Sequence, residues 1–139
     1  MVHIIYTKMN NEVIEVTEII RRDFEQSGVR SGIIQVTVPH TTVGLAIKEN
    51  ADTKVKPNAN IMHEVTEKVN QDLHHTGVTQ DVTATFVPNS SKAMASLIGN
   101  CAAIKIDNGV MKIGSGQGMY LYEFDGPKAR NINVKIIQG

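Results

Sequence analysis

The chain has 139 residues, the length of one domain, and we expect residues 1–139 to form a single domain. Its 14 basic residues balance 14 acidic ones, which excludes a polycationic surface and so argues against nucleic-acid or anionic-membrane partners. A single cysteine, the lack of a signal-peptide pattern and the lack of an apolar run of about 18 residues indicate a cytoplasmic protein.

Short strands and one helix are predicted in the N-terminal part of the chain. Thr17 is a suitable N-cap for a helix, and Gly28 is a typical C-terminal stop for it. Apolar residues that alternate or are β-branched predict strands on either side of this helix, over residues 3–8, 12–16, 32–38 and 43–48.

The clearest helix is predicted over residues 57–74, where apolar side chains recur every four residues. A strand is predicted over residues 82–87, then a short helix ended by Gly99, then a hairpin turn with Gly109. Further strands are predicted over residues 102–106, 110–113, 118–124 and 131–137. Because helices and strands do not alternate regularly, we predict an α+β fold with a largely antiparallel sheet.

The first candidate site is the segment His40-Thr41-Thr42, which follows a predicted strand. Histidine can act as a metal ligand or a general base, and the two hydroxyls can donate to phosphate oxygens. The alternative is a turn, in which Pro39 restricts the chain and the threonines bond to local backbone. The residue types alone favour the turn.

The second candidate comprises Glu49, Asn50 and Asp52, at the end of the next predicted strand. Two carboxylates and an amide within four residues offer the oxygen ligands that Mg²⁺ prefers. The same residue types also cap and begin helices. The sequence leaves both interpretations open, and they can apply to different residues.

Histidines near the predicted long helix form the third candidate. His63 and His74 fall on the polar stripe of that helix, almost opposite its apolar arc, and this favours a solvated face. His75 lies beyond the regular helix, beside a glycine. A loop histidine held by a scaffold is the better functional candidate.

Asn89, Ser90, Ser91 and Lys92 form the fourth candidate, at the predicted start of the short helix. Free amides, hydroxyls and a lysine at a helix start can bind a phosphate. Plain helix capping is the alternative, and it is the favoured interpretation for these residues taken alone.

The glycine-rich segment 114–118 lies between predicted strands. It lacks the spacing and the following helix of a dinucleotide-binding motif, and it lacks the lysine of a P-loop. Gln117 supplies the one useful polar side chain there.

Taken together, these segments resemble the YjbQ-like family of small proteins, for which a secondary thiamine-phosphate synthase activity has been proposed. The resemblance covers nearly the whole chain, and the order and spacing of its motifs are more specific than any one motif. These motifs are His40-Thr41-Thr42, Glu49-Asn50-Ala51-Asp52, His75, Ala95-Ser96-Leu97-Ile98-Gly99, Gly109, Gly114-x-x-Gln117 and the run from Tyr120 to Pro127 followed by Arg130.

The resemblance implies an α+β domain, with a mixed, mostly antiparallel sheet wrapped around helices, and a homotrimer. It also implies a small-molecule phosphate substrate. The implied reaction couples an aminopyrimidine diphosphate to a thiazole phosphate and releases pyrophosphate. This chemistry calls for anion-binding groups and for a divalent ion, Mg²⁺ or Zn²⁺.

The resemblance also suggests roles for individual residues. The suggested catalytic residues are His40, Glu49 and Gln117. The suggested metal ligands are His40, His75 and Asp52, so that His40 and His75 would meet in one pocket. The suggested phosphate contacts are Thr41, Thr42, Asn89, Ser90, Ser91, Lys92 and Arg130.

Three positions depart from the family pattern. Lys92 and Met94 stand where the family usually has histidine and lysine, and Gly116 stands where it has tryptophan. Two other classes therefore stay open beside an enzyme. One is a non-catalytic phosphate- or small-molecule-binding protein, and the other is a structural trimer.

Overall fold

The computed structural model describes residues 1–50 and 90–139. The predicted helix over 57–74 and the predicted strand over 82–87 lie outside the described residues. The described elements are β1 (Val2–Tyr6), β2 (Glu12–Glu15), α1 (Thr17–Ser27), β3 (Gly32–Thr37), β4 (Val43–Glu49), α2 (Ser91–Ile98), β5 (Cys101–Asp107), β6 (Val110–Met111), β7 (Gln117–Glu123) and β8 (Ala129–Gln138). Every strand predicted within these ranges is confirmed to within two residues at each end.

The strands form two sheets. The five-stranded sheet has the order β1-β8-β3-β5-β6, and the three-stranded sheet has the order β2-β7-β4. All the strand pairings of the described residues are antiparallel. This confirms the predicted α+β class, with two antiparallel sheets and helices packed against them.

One apolar core joins the two sheets and α1. Strand alternation creates it: in β3, Ile34 and Val36 are fully buried, whereas Ile33 and Gln35, which alternate with them, are exposed. The cluster takes members from both sheets and the helix, including Ile20, Phe24, Val43, Leu45, Ile104, Ile106, Met119, Leu121, Ile132 and Val134.

Helix α1 ends as predicted but begins differently. Gly28 has φ 68° and forms the left-handed C-cap, a conformation that glycine adopts without steric cost. The predicted N-cap at Thr17 is wrong, because Val16 holds that position and makes no side-chain cap. The Thr17 hydroxyl instead donates to Glu15 and accepts from the amide of Met119 in β7. The Thr17 hydroxyl therefore bonds to a distant strand and does not cap the helix.

Helix α2 covers the other face of the three-stranded sheet. Met94 and Ala95 pack there against Tyr120, Tyr122 and Phe124. The start of this helix is confirmed, since the Ser90 hydroxyl accepts from the amide of Ala93 at 3.2 Å and caps the helix.

Gly44 sets the spacing between α2 and β4. A Cβ at this position would lie 2.6 Å from the Ile98 side chain, so any larger residue would push the helix outward. The helix therefore approaches β4 more closely than a side chain at position 44 would allow.

No helix of the described residues is long and apolar enough to cross a membrane.

Candidate functional site

A pocket of about 420 Å³ lies between the β3–β4 loop and α2. The loop and the start of β4 contribute His40, Thr41 and Val43 to its wall. The helix and the residues after it contribute Lys92, Ala95, Ser96, Gly99 and Asn100. Two segments that are some fifty residues apart in sequence thus form one wall each.

The helical wall follows from the spacing of its residues. Lys92, Ala95, Ser96 and Gly99 stand at positions i, i+3, i+4 and i+7, which share one face of a helix. Gly99, with φ 95°, ends the helix in a conformation that L side chains rarely adopt, and its N–H donates to the Ala95 carbonyl at 2.9 Å. The residue spacing in α2 and at its C-cap therefore determines which face of the helix lines the pocket.

Backbone hydrogen bonds hold the two walls together. The N–H of Val38 donates to the carbonyl of Asn100 at 3.0 Å, and the N–H of Leu45 donates to the carbonyl of Gly99 at 2.9 Å. The end of α2 is thereby tied to the strand before the His40 loop and to the strand after it. The pocket is supported on both sides by regular structure.

His40 is held by the backbone of β8. Its Nε2 accepts a hydrogen bond from the N–H of Asn131 at 2.8 Å. Burial, with the positive charge of Arg130 as a second cause, lowers the pKa of His40 below its ordinary value of 6.5, while Glu123 opposes the shift. The imidazole is therefore mostly neutral at pH 7.

A buried ion pair lies beneath the loop. Arg130 Nε donates to Glu123 Oε1 at 2.8 Å, and Arg130 Nη2 donates to Glu123 Oε2 at 2.5 Å. Glu123 is fully buried and Arg130 is 4% exposed. Burial alone would raise the pKa of Glu123, but hydrogen bonds from Arg130, Thr7 and the Asp125 amide together outweigh it and lower that pKa. The pair is ionised and well supplied with donors.

Two predicted phosphate contacts, Thr42 and Arg130, belong to this network. Arg130 Nη2 donates to the Thr42 hydroxyl at 2.6 Å, and both residues are buried. This bond links the ion pair to the residue two positions after His40. The geometry gives Thr42 and Arg130 a supporting role under the pocket, and direct phosphate contact by them stays a prediction.

The serines at the start of α2 make bonds within the protein. Ser90 caps the helix, and the Ser91 hydroxyl donates to the Phe124 carbonyl at 2.9 Å. Of these neighbours, Lys92 is the one that lines the pocket. The capping interpretation therefore holds for Ser90, while Lys92 joins His40 and Thr41.

Glu49 and Gln117 lie at the other end of the three-stranded sheet. In the antiparallel register of β4 and β7, Val43 pairs with Glu123 and Glu49 pairs with Gln117. Six residues of strand separate these pairs, which is about 20 Å. The Gln117 side chain accepts a hydrogen bond from the Gly114 amide at 2.9 Å and closes a local turn. Within one chain, Glu49 and Gln117 do not reach His40.

The metal prediction rests mainly on residues outside the described ranges. Asp52 and His75 lie there, so the meeting of His40 with His75 stays a prediction. Asn89, a predicted phosphate contact, also lies outside those ranges. Within residues 1–50 and 90–139, no group of three or more His, Cys, Asp or Glu side chains is close enough to hold a metal ion.

Sequence reasoning overlooked three contributors to this region. Ser96 follows Lys92 by four residues, so helical spacing was a usable signal for it. The Asn131 amide and the Glu123 carboxylate had no such signal, because both depend on how β7 and β8 are placed beside the loop.

Comparisons with known proteins agree on one family. A sequence model described as "UPF0047 protein YjbQ-like" matches residues 2–139. A UPF0047 protein of Methanocaldococcus jannaschii is 34% identical over 133 residues, which cover 96% of this chain and 90% of that protein. The UPF0047 protein YugU of Bacillus subtilis is 30% identical over 133 residues, covering 96% and 95%.

Solved structures share the fold. An X-ray structure from C. acetobutylicum is 34% identical, with a TM-score of 0.74, and covers 99% of this chain and 98% of that chain. A hypothetical protein from Aeropyrum pernix has a TM-score of 0.75 at 22% identity, covering 100% and 98%, and supports the fold alone. The sequence matches and the shared fold cover nearly the whole chain. The chain therefore belongs to the YjbQ-like UPF0047 family.

Proposed function

We propose that the pocket between the His40 loop and α2 binds the phosphate group of a small molecule. The observation that carries the proposal is the charge of the lining. Among residues 1–50 and 90–139, the lining includes one lysine, hydroxyls and an amide side chain, and it includes no acidic residue. Such a lining attracts an anion, and ammonium and hydroxyl groups are natural donors to phosphate oxygens.

The dimensions favour an organic phosphate. A volume of about 420 Å³ falls within the range of roughly 300–1,000 Å³ that is typical of small-molecule sites. Inorganic phosphate would fill only part of that space.

Calorimetry tests this proposal directly. The purified chain is titrated with inorganic phosphate, pyrophosphate and phenyl phosphate, each in the presence of a chelator. We expect wild-type protein to bind at least one of them. Lys92→Ala should weaken that binding by about 1–3 kcal/mol, roughly 5- to 150-fold, because a charged hydrogen bond is lost.

Lys112→Ala is the matched control, because Lys112 is an exposed lysine that does not line the pocket. It should bind like wild type. A wild-type protein that binds none of the three compounds would overturn the proposal and leave a structural role as the better hypothesis. Equal weakening by both lysine variants would show that general charge, not this pocket, attracts the anion.

A second candidate function is the transfer reaction that the family resemblance implies. The pocket has room for a pyrophosphate with an attached group, and the reaction joins two phosphate-bearing molecules with release of pyrophosphate. Glu49 and Gln117 would serve it only from a neighbouring copy, since they lie about 20 Å from the pocket end of their own sheet. This candidate therefore goes together with a homotrimer.

Two measurements test the transfer proposal. Release of pyrophosphate from the aminopyrimidine diphosphate, dependent on the thiazole phosphate, should be detected with wild-type protein and lost with Lys92→Ala. Light scattering at micromolar concentration should give three times the mass of one chain. A monomer that binds phosphate but releases no pyrophosphate would reject transfer and retain the binding function.

A further inference from the structure

The two ring nitrogens of His40 have different surroundings. Nε2 accepts from the backbone N–H of Asn131 at 2.8 Å. Among residues 1–50 and 90–139, Nδ1 has no hydrogen-bond partner, and the side chain lines the pocket. We infer that His40 is held as the neutral Nδ1–H tautomer, which donates a hydrogen bond to an anionic ligand oxygen and does not bind a metal. This rests on the proposed phosphate-binding function and specifies how the anion is bound.

The tautomer follows from the chemistry of the partner. A peptide N–H can only donate, so the nitrogen that faces it must offer a lone pair. In a neutral imidazole one nitrogen accepts and the other carries the proton, which places the proton on Nδ1. Because a backbone amide does not titrate, this assignment does not depend on the protonation of any neighbouring side chain.

A metal would need a lone pair that this arrangement does not provide. The Nε2 lone pair already faces the amide of Asn131. Ligation through Nδ1 would move the proton to Nε2 and set two N–H donors against each other at 2.8 Å. Lys92 lines the same pocket, and its ammonium group repels a cation. Among the described residues, the donor set does not fit the metal that the family resemblance implies.

The contact with Asn131 also requires an uncharged ring. A protonated imidazole carries N–H groups on both nitrogens, so its Nε2–H would face the Asn131 N–H donor at 2.8 Å. His40 therefore contributes a hydrogen bond without adding a second positive charge beside Lys92.

The tautomer also limits which ligands the pocket suits and which catalytic roles His40 can have. A pocket that presents the imidazole N–H, the Lys92 ammonium and the Thr41 and Ser96 hydroxyls is suited to oxygens that only accept. A fully ionised phosphate monoester, bound without a metal ion, has such oxygens. The Nδ1–H ring can hydrogen-bond a developing negative charge, whereas it cannot act as a base through Nδ1.

Nuclear magnetic resonance of ligand-free protein tests the tautomer independently of any ligand. Long-range ¹H–¹⁵N spectra at pH 7.5 should show His40 with Nδ1 protonated and Nε2 unprotonated. A ring with Nε2 protonated, or an averaged pair of nitrogens, would overturn the inference. This outcome would leave the proposed phosphate binding untouched.

Variants of His40 test its role as a donor. His40→Asn retains an amide N–H close to the position of Nδ1, whereas His40→Ala removes it. With phenyl phosphate as the probe and a chelator present, we expect His40→Asn to bind within about threefold of wild type and His40→Ala to bind at least tenfold more weakly. Equal loss in both variants would overturn the donor role, provided that thermal melting shows both to be folded.

Titration with zinc chloride tests the exclusion of metal. We expect no zinc binding that depends on His40, so wild type and His40→Ala should behave alike. Stoichiometric zinc binding that disappears in His40→Ala would overturn the inference. If the tautomer is as expected and no phosphate compound binds, the proposed function fails while the tautomer and the metal exclusion stand.

Discussion

The two ends of the three-stranded sheet place their polar residues in very different surroundings. At the end where Val43 pairs with Glu123, an ion pair is fully buried and a pocket opens above it. At the other end, Glu49 is exposed and Gln117 closes a short turn. The first end joins distant segments through buried charge, whereas at the second end the Gln117 side chain bonds to Gly114, three residues away.

The buried end supports the candidate site. The ion pair under the His40 loop connects β7, β8 and the loop in one network, so damage there should spread to the pocket. The Gln117 side chain bonds within its own turn, so the effect of removing that side chain should stay local. Four substitutions test this contrast, and the largest effect is expected at the buried end.

Arg130→Met should give the largest loss of stability. It leaves the Glu123 carboxylate buried without its cation, which costs about 3–5 kcal/mol. Chemical denaturation followed by circular dichroism measures this. Lys128→Met is the control: it breaks the exposed ion pair of Lys128 with Asp125 and should leave the midpoint unchanged.

The double variant Arg130→Met with Glu123→Leu tests whether the unpaired carboxylate causes this loss of stability. Removing both charges should restore much of the stability, because the cost comes from the unpaired carboxylate. If the single variant is as stable as wild type, the ion pair does not support the pocket end.

Gly44→Ala should have the next largest effect. The added methyl would lie 2.6 Å from the Ile98 side chain, so α2 must shift, at a cost of about 1–3 kcal/mol. The shift should also weaken phenyl phosphate binding, because α2 forms one wall of the pocket. Gly116→Ala is the control from the other end, where the added methyl meets only Glu49 at 3.6 Å. Equal stability of the two variants would contradict the close packing of α2.

The pH dependence of unfolding should reflect Glu123. Its pKa is lower in the folded protein than the ordinary 4.5, so its contribution to stability is present above that value. The contribution is lost as the pH falls through the folded pKa, because the unfolded state then binds the proton more readily. Glu123→Gln should be less stable at pH 7 but lose less stability between pH 5 and 3.

Glu18→Gln provides the matched control for this titration. Glu18 is exposed on α1, and the substitution should keep the wild-type acid slope. A Glu123→Gln slope identical to that of wild type would show that Glu123 does not carry the acid sensitivity.

Gln117→Ala should have the smallest effect. It removes one side-chain hydrogen bond to the Gly114 amide, worth about 0.5–1.5 kcal/mol, as denaturation would show. Phenyl phosphate binding by the protein should not change. A loss of binding without a loss of stability would contradict the difference between the two ends. It would indicate that Gln117 of one copy lies beside the pocket of another.

Local signals predicted most of the described fold. Period-two alternation marks strands such as β3, because a sheet that is buried on one face requires it. Gly28 marks the end of α1, since its left-handed φ of 68° suits glycine. Thr17 shows where such reasoning fails. Its hydroxyl accepts a hydrogen bond from the amide of Met119, a residue about one hundred positions away. No local sequence pattern predicts such a contact.

The candidate site was likewise predicted only in part from the sequence. The residue types of His40, Thr41 and Lys92 identify them as candidates, and the helical spacing of Lys92 and Ser96 sets one wall of the pocket. The sequence alone does not decide which candidates meet. His40 and Lys92 line one pocket, whereas Glu49 and Gln117 lie at the far end of β4 and β7.

Local geometry and the order of motifs predicted the family and most of the described elements, but not the N-cap of α1. The chemistry that His40 offers at the pocket depends on tertiary contacts. The Asn131 amide selects the tautomer of His40, and Arg130 pairs with Glu123 beneath it. Both contacts depend on the registers of β7 and β8, which long-range strand pairing sets and no single segment encodes.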